Sequence, residues 1–363
     1  MCEPALGSRG TLGRMRTAGA NGGTGPTKPP TLRDVAREAG VHVSTVSRVL
    51  SDQAAAGRIT QDTEERIRDV ARRLGYRRNT IARALRTGRT LVVGMVVPDV
   101  ANLYQAGITR GAGDVLYADG YSLILASTDD DPEHAASQVS AMLGVQAEGL
   151  MYGVAREEDA VLAQLVDEGI PVVLFNRASA SPGISAVLPD DHAGTRLAVN
   201  HLLSLGHRNI VHVGGPEDVS STVNRLAAFE ETLGAAGLTG AHGFAHRHIE
   251  EEGYRVTSSL LDELPHTTAV LAANDRLALG AIDAIRDSGR SCPDQVSVVG
   301  FNDMPYSERF MPPLTTIRIS QYELGAMAAR LLLETIADPG RPAETRLASP
   351  ELVIRGSTAP AST

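Results

Sequence analysis

Three polar side chains on one side of a predicted helix have the types and spacing needed to contact DNA bases. Ser44, Ser47 and Arg48 lie on that side, and Val43 stands at the start of the helix. The opposite side is apolar and consists of Val46, Val49 and Leu50. Serine hydroxyls and the forked arginine guanidinium can reach base edges when such a helix lies in a major groove. The pattern therefore predicts a recognition helix.

Two further predicted helices would hold this helix in place. The preceding segment has apolar residues at i, i+3, i+4 and i+7, and Gly40 marks a tight turn after it. The following segment repeats this spacing, with Thr60 able to cap its start and Gly75 placed to end it. The two apolar stripes are Leu32, Val35, Ala36 and Ala39, then Ile67, Val70, Ala71 and Leu74. These stripes predict a three-helix unit over residues 31–76, although a helical subdomain without a nucleic-acid role has the same pattern.

The distribution of charge favours the DNA-binding interpretation. Residues 1–90 carry a net charge of +9 and the remaining residues −18, which together give the chain its −9. A basic head can bind phosphate while an acidic body stays away from it, because binding depends on the local field. Residues 77–90 are rich in arginine, and Leu85 beside Arg86 is typical of an apolar wedge for the minor groove. A solvated interdomain connector is the alternative for this segment.

From residue 91 the sequence alternates between apolar runs and amphipathic helical stretches. This rhythm predicts parallel strands covered by helices on both faces. The first series of apolar runs covers residues 91–97, 122–126, 149–152 and 171–175. The second series covers residues 209–213, 243–248, 269–272, 296–300 and 315–319. We therefore predict an α/β body of two doubly wound lobes, with a ligand crevice outside the carboxyl ends of the strands.

The residues do not favour an enzyme, a metalloprotein or a membrane protein. No G-x-G-x-x-G, P-loop or G-x-S-x-G pattern follows a predicted strand, so we expect no catalytic residues and no cofactor. Cys2 and Cys292 lack metal-ligand spacing, and we interpret His207 and His212 as ordinary histidines. No run approaches the ~20 apolar residues of a membrane span, and residues 1–30 lack the apolar core of a secretory signal. We expect a cytoplasmic protein without metal or membrane contact.

Several separate motifs occur between about residue 31 and residue 354. They are residues 31–50, Leu74-Gly75-Tyr76, Asn79, Ala82-Arg83-Ala84-Leu85, Gly206-His207, Gly215-Pro216, Arg225, Asn274-Asp275, Gly300-Phe301-Asn302-Asp303 and Pro312-Pro313-Leu314-Thr315-Thr316. Together they resemble the lactose-repressor (LacI/GalR) family of bacterial transcription regulators. The resemblance implies a helix-turn-helix head, a hinge helix and a two-lobed core like that of periplasmic binding proteins.

The resemblance also implies a repressor that binds a pseudo-palindromic operator as a homodimer. Base contacts are implied for Val43, Ser44 and Arg48, and a minor-groove wedge for Leu85. The other DNA-contacting positions that it implies are Thr31, Thr45, Ser47, Thr60, Tyr76, Asn79, Ala82 and Arg86. The departures from the family are His42 in place of a serine cap, Ser51 in place of a common asparagine, and a longer, alanine-rich loop over residues 51–59.

For the body, the resemblance implies a small polar effector, a sugar or sugar derivative, between the lobes. Asn302 stands where many relatives carry an acidic residue, and an amide both donates and accepts, so the sugar preference is expected to differ. The implied effector residues are Tyr104, Asn176, Arg225, His248, Asn274, Phe301 and Asn302, with core packing as the alternative for Phe301. A transport-type solute-binding protein shares the two lobes and is the alternative function, but it leaves the head unexplained.

These interpretations divide the chain into segments. Residues 1–30 are expected to be a disordered extension, with Met15 as an alternative translation start, residues 31–78 the DNA-binding domain and residues 79–90 the hinge. The first lobe is expected over residues 91–189 with 320–346, and the second over 190–319 with 347–356. Residues 357–363 are expected to be a disordered tail. That tail has no leucine heptad, so a dimer is the simplest assembly.

Overall fold

Two compact units, Met1–Ala82 and Arg83–Thr363, make up the chain. The computed structural model describes residues 30–50, 59–76, 84 and 87–362. Some of the expectations above therefore lie outside the described residues. These are the extension before residue 30, the loop 51–58, and the hinge positions Asn79, Ala82, Leu85 and Arg86.

The first unit contains the three predicted helices, α1 (Leu32–Ala39), α2 (Val43–Leu50) and α3 (Gln61–Leu74). Their apolar sides form one core, whose fully buried members are Val35, Val46, Val49 and Ile67. Gly40 and Gly75 have φ angles of 64° and 65°, and these left-handed conformations end α1 and α3. The predicted helix-turn-helix fold is confirmed.

The first lobe of the second unit is built on a parallel six-stranded sheet. Its strands are β1 (Val92–Val97), β2 (Ser122–Ser127), β3 (Gly149–Tyr152), β4 (Val172–Phe175), β5 (Ser185–Pro189) and β11 (Thr345–Ala348). They lie in the order β11-β5-β4-β3-β1-β2. The helices of this lobe are α4 (Leu103–Ala118), α5 (Pro132–Gly144), α6 (Ala160–Asp167) and α11 (Gln321–Ala337).

The second lobe repeats this plan with one antiparallel edge strand. Its strands are β6 (Ile210–Gly214), β7 (Ala241–Phe244), β8 (Ala269–Ala272), β9 (Ser297–Asn302), β10 (Thr315–Ile319) and β12 (Pro350–Val353). They lie in the order β12-β10-β9-β8-β6-β7, and β12 is antiparallel to β10. The helices are α7 (Asp191–Ser204), α8 (Ser220–Ala235), α9 (Glu250–Glu263) and α10 (Asp275–Asp287). The predicted two-lobed α/β body is confirmed.

Helix α11 returns to the first lobe and packs closely on α4. A Cβ atom at Gly111 would lie 2.0 Å from the carbonyl oxygen of Tyr322, and one at Gly325 would lie 1.9 Å from that of Ile108. Only glycine permits this approach of the two helix backbones. The packing fixes α11 on the first lobe and places the following residues at the edge of its sheet.

The segment after α11 gives one strand to each lobe. Strand β11 pairs in parallel with β5, and β12 then pairs with β10. The expected lobe boundary at residue 346 therefore falls inside β11. Strands β11 and β12 were not predicted because both are edge strands with largely exposed side chains, so neither forms an apolar run. Strand β5, a short strand that ends at Pro189, was not predicted either.

Residues 357–362 pack on the second lobe, so the expectation of a disordered tail is wrong for them. Ser357 is fully buried, and its hydroxyl donates to the carbonyl oxygen of Val298 at 2.6 Å. The amide of Val298 donates in return to Ser357 O at 2.8 Å. The ring Nε2 of His207 lies 3.0 Å from the carbonyl oxygen of Ala359. These hydrogen bonds hold the tail in place. They involve small polar residues and no apolar run, so the sequence pattern did not indicate an ordered segment.

Candidate DNA-binding surface and effector cleft

The polar side of α2 is accessible in the first unit. Ser44 and Arg48 are exposed, while Val43, Thr45 and Ser47 are half-buried. None of the ion pairs among the described residues of this unit involves Arg48. Its guanidinium can therefore turn both donor edges toward a guanine.

The residue before α2, His42, takes over the capping position. Its ring Nδ1 accepts a hydrogen bond from the backbone N–H of Ser44 at 3.3 Å. The same Nδ1 lies 2.8 Å from Ser44 Oγ. The His42 imidazole therefore caps the N-terminus of α2, at a position where the family usually has a serine.

The threonines before α1 and α3 differ in their hydrogen bonds. The amide of Asp34 donates to Thr31 Oγ1 at 3.4 Å and the amide of Thr31 donates to Asp34 Oδ2 at 2.9 Å, which forms a capping box. Thr31 Oγ1 also donates to Asp34 Oδ2, at 2.7 Å. The bond from Thr31 holds the pKa of Asp34 below its usual value. Thr60 Oγ1 instead lies 2.9 Å from Thr63 Oγ1 and makes no bond to a helix amide. Tyr76 follows α3 and is half-buried.

A polar cleft lies at the carboxyl ends of the strands of both lobes. The predicted effector residues that line it are Tyr104, Asn176, Arg225, His248, Asn274 and Asn302. Phe301 does not line it. Its side chain is buried, and its ring packs under the guanidinium of Arg225, 3.7 Å from the ring centroid. The fold thus brings together side chains that are far apart in sequence. Phe301 contacts one of them, Arg225, from the side that faces away from the cleft.

Arg225 is fixed in the floor of the cleft. Its Nε donates to Asp191 Oδ1 at 2.8 Å, and its Nη1 donates to the carbonyl oxygen of Ala273. Both charged side chains are buried. Burial raises the pKa of Asp191, and the Arg225 charge opposes that shift. Nη2 makes no hydrogen bond with the described residues, so its two N–H groups remain as donors for a ligand.

Two asparagines from the second lobe present complementary groups. Asn274 caps α10, since its Oδ1 accepts from the amide of Leu277 at 2.7 Å, so its side-chain NH₂ remains for a ligand. Asn302 ends β9 with a left-handed φ of 110°. Its Oδ1 is buried without a hydrogen-bond donor among the described residues. The first asparagine therefore offers a donor and the second an acceptor.

The first lobe contributes a phenol–amide pair, and the second contributes a neutral histidine. Tyr104 Oη donates to Asn176 Oδ1 at 3.0 Å, and Asn176 adopts a left-handed φ of 65° directly after β4. Burial raises the pKa of the Tyr104 phenol, which therefore stays protonated. Burial, aided by the charge of Arg177, lowers the pKa of His248 to about 3. At neutral pH the imidazole can thus both donate and accept.

Among the described residues, nine polar residues that were not predicted from the sequence also line the cleft: Asp99, Asn102, Gln105, Asp129, Asp130, Arg177, Ser221, Arg247 and Arg276. Gln105 is buried, and its Oε1 has no donor among the described residues. Ser221, in the first turn of α8, also lines the cleft. Gln105 adjoins the predicted Tyr104, but nothing in its own sequence context distinguishes it from a solvent-exposed helix residue. Its position becomes evident only from the packing of α4.

Contacts between residues far apart in the sequence join the lobes across the cleft, and these contacts were not predicted. Arg276 Nη1 lies 3.3 Å from Asp99 Oδ2. Arg156 pairs with Asp218, and the amide of Ala178 donates to Ser220 Oγ at 2.8 Å. Each contact joins one lobe to the other, so the lobes are closed on each other in this structure.

The described residues contain no group of three His, Cys, Asp or Glu side chains that could hold a metal ion. In the same part of the chain, no helix has both the length and the apolar character needed to cross a membrane.

A three-helix head followed by a two-lobed body with a polar cleft is the architecture of a ligand-responsive transcription regulator. Residues 31–79 match the family described as bacterial regulatory proteins, lacI family, and residues 199–358 match the periplasmic binding protein-like domain. The chain belongs to the LacI family of transcriptional repressors, and its relatives are regulators and not enzymes.

Individual relatives match over nearly the whole chain. The HTH-type transcriptional repressor PurR of Histophilus somni is 32% identical, over 90% of this chain and 98% of the relative. The ribose operon repressor of Halalkalibacterium halodurans is also 32% identical, over 90% of this chain and 97% of the relative. A crystal structure of the lac repressor dimer bound to operator and the anti-inducer ONPF has a TM-score of 0.80 and 29% identity, covering 92% of this chain and 100% of that chain.

Proposed function

We propose that this protein binds a pseudo-palindromic operator as a homodimer, and that a sugar or sugar derivative in the cleft controls its affinity for DNA. The head reads the operator with Val43, Ser44 and Arg48, and Leu85 inserts into the minor groove. The residues that hold phosphates or fix the docking are Thr31, Ser47, Thr60, Tyr76 and Asn79. Effector binding changes the closure of the lobes, and residues 79–90 transmit this change to the head. Such coupling is typically worth 1–3 kcal/mol and acts equally in both directions.

The observation that carries the sugar assignment is the chemistry of the cleft lining. Gln105 Oε1 and Asn302 Oδ1 are buried acceptors without donors among the described residues. The NH₂ group of Asn274 and Nη2 of Arg225 are the matching donors. Tyr104 is the one aromatic side chain among the described lining residues apart from the His248 imidazole, and its phenol is engaged by Asn176. A lining that offers both donors and acceptors and has little ring surface suits a compound with several hydroxyl groups better than a flat base.

Thermal unfolding of the full-length protein tests this assignment. A ligand present at 100 times its Kd stabilises the native state by about 2.7 kcal/mol, which raises Tm measurably. Pentoses, hexoses and disaccharides are compared with nucleosides at equal concentration. We expect a sugar to raise Tm. If only nucleosides raised Tm, the effector would be assigned as a nucleoside and not as a sugar.

The homodimer proposal is supported by apolar side chains left uncovered on the body. Val100, Tyr117 and Leu125 lie around α4 and β2 with 58%, 83% and 37% of their surfaces exposed. On the second lobe, Met311 is 87% exposed. A second copy would cover such surfaces, as apolar patches favour association. Sedimentation equilibrium measures the assembly, and a monomer at micromolar concentration would exclude this proposal.

Operator binding is tested by selecting bound sequences from a random duplex library. We expect a pseudo-palindrome to be enriched, with an affinity that falls by orders of magnitude between about 50 and 200 mM salt. The alternative, a transport-type solute-binding protein, predicts no sequence enrichment. The net charge of +9 on residues 1–90 favours operator binding over this alternative.

The expected location is the cytoplasm, in contact with the nucleoid, and no cofactor is required.

A further inference from the structure

The hydrogen bonds between His42 and Ser44 determine where the hydroxyl proton of Ser44 lies. The backbone N–H of Ser44 points to Nδ1 of His42 at 3.3 Å. Because an amide N–H can only donate, Nδ1 must carry a lone pair and not a proton. The bond of 2.8 Å between Nδ1 and Ser44 Oγ is then donated by the hydroxyl. Ser44 has a single hydroxyl proton, so the oxygen has only lone pairs left for another partner.

We propose that His42 makes Ser44 an acceptor-only reader of the major groove. In that groove cytosine N4 and adenine N6 are donors, whereas guanine and thymine present acceptors. A serine hydroxyl can ordinarily donate or accept, and it therefore discriminates poorly between these bases. With its proton held by His42, Ser44 favours the strand that presents cytosine or adenine. His42 is thus a positioning residue that sets base preference through its neighbour.

The inference rests on the proposed base contact of Ser44. Both side chains are exposed in the first unit, and α2 places Ser44 one helical turn before Arg48. A serine hydroxyl at position 42 would cap α2 through its oxygen as well. The imidazole differs because its neutral Nδ1 can only accept, and its single lone pair is shared by the amide and the hydroxyl of Ser44. A purely structural cap would stabilise α2 without altering base preference.

The test uses the full-length protein and a duplex library with a randomised core, and reads base frequencies at every operator position. His42→Gly removes the acceptor while keeping a residue that is tolerated at a helix N-cap. His42→Asn is the matched control, because its side-chain oxygen has two lone pairs and can still accept from both donors of Ser44. Ser44→Ala deletes the hydroxyl. Circular dichroism confirms that each variant keeps its helices.

The wild type is expected to prefer adenine or cytosine at one symmetric position, and Ser44→Ala to lose the preference at that position alone. His42→Gly should reduce that discrimination about fivefold, the effect of one hydrogen bond, and admit guanine or thymine. His42→Asn should keep the wild-type preference.

If His42→Gly weakens all sequences equally and leaves the preference unchanged, His42 is only a cap and the inference is overturned. Should His42→Gly not fold, a changed preference in His42→Asn would overturn it instead. If Ser44→Ala keeps the wild-type preferences, the base contact of Ser44 is wrong, although operator binding stands. A library without any enriched sequence would overturn both the operator proposal and this inference.

Discussion

Arg276 and Asp99 bridge the cleft, with Arg276 Nη1 3.3 Å from Asp99 Oδ2. The pair joins the first turn of α10 in the second lobe to the segment that follows β1 in the first. The same guanidinium donates to Glu250 through Nε and Nη2 at 2.9 and 2.6 Å. Because Glu250 already orients Arg276, little side-chain freedom remains to be lost when it binds Asp99. The pair therefore favours closed lobes.

Asp99→Asn is expected to shift the ligand-free body toward an open cleft. A part-exposed ion pair contributes about 1 kcal/mol or less, so effector affinity should fall by up to about fivefold. Small-angle scattering should show a larger radius of gyration for the ligand-free variant. Asp283→Asn is the control, because it removes an ion pair with Arg286 on the surface of α10 away from the cleft. If the two variants had the same radius of gyration and the same effector affinity, the pair between Asp99 and Arg276 would not stabilise the closed lobes.

Arg225→Ala is expected to destabilise the second lobe as well as remove a ligand contact. The substitution would leave Asp191 buried without its partner, and breaking a buried ion pair typically costs 3–5 kcal/mol. Urea unfolding should show this loss. The double variant Arg225→Ala with Asp191→Asn should recover part of it, since no unpaired charge remains. A single variant of wild-type stability would indicate that water or another cation reaches Asp191.

Gln105→Leu is expected to raise stability and weaken effector binding. It replaces a buried, unpartnered amide by an apolar side chain of similar size, so the free energy of unfolding should rise by about 1 kcal/mol. A sugar that donates to Gln105 Oε1 should bind about fivefold to tenfold more weakly. Chemical denaturation and calorimetry measure the two effects. Unchanged sugar affinity would remove Gln105 from the effector site.

Asn302→Gly provides an independent check on the other buried acceptor. Glycine adopts the φ of 110° at this position without strain, so the native state should not be destabilised. Loss of the Asn302 acceptor should still reduce sugar affinity about fivefold or more. Calorimetry on the folded variant separates this result from misfolding. Full retention of sugar affinity would contradict the proposed contact.

Asp275 should make stability depend on pH. Burial raises its pKa from 3.8 to about 7, although Thr316 and the amide of Met304 donate to its carboxylate. Between pH 4 and pH 7 the native state therefore holds a proton that the unfolded state has lost, and stability falls as pH rises through this window. Asp275→Asn keeps an acceptor for Met304 and a group that can bond to Thr316 without the ionisation.

The stability of Asp275→Asn relative to the wild type should accordingly increase with pH, by up to about 4 kcal/mol between pH 4 and pH 8. Thermal unfolding over that range measures the difference. A constant difference would show that Asp275 does not titrate in this window.

Arg48→Ala is expected to remove sequence discrimination. A bidentate arginine–guanine contact is worth about 1–3 kcal/mol, so operator affinity should fall by that amount while binding to random DNA changes little. Fluorescence anisotropy with a selected operator and a scrambled duplex gives both values. An equal loss on the two duplexes would make Arg48 a phosphate contact instead.

Local patterns were sufficient to predict the three-helix head and the alternating strands and helices of the body. The stripe ending at Ala39 and the glycines at positions 40 and 75 encode their helices within a few residues of sequence. The helices of the head therefore needed no long-range information. Asn274 and Asn302 were implied by the family resemblance, and their positions at the ends of β8 and β9 agree with it, because the carboxyl ends of parallel strands share an edge.

The remaining features depend on contacts between distant residues. Strand β12 is recognisable only from its pairing with β10, and the tail is ordered only because Ser357 bonds to Val298. Likewise, the roles of Gln105 and Arg276 appear when α4 and α10 face the same cleft. No periodicity or motif within either helix contains that information.

The interleaved course of the chain has a consequence for biosynthesis. The head is a contiguous segment, whereas the first sheet lacks its β11 edge and the second lacks β12 until residues 345–353 have been made. During synthesis from the N-terminus, the head can fold while both lobes are still incomplete. A nascent chain would thus have a folded head before it has a finished effector cleft, and the lobes can close on a ligand only after residues 345–353 have left the ribosome.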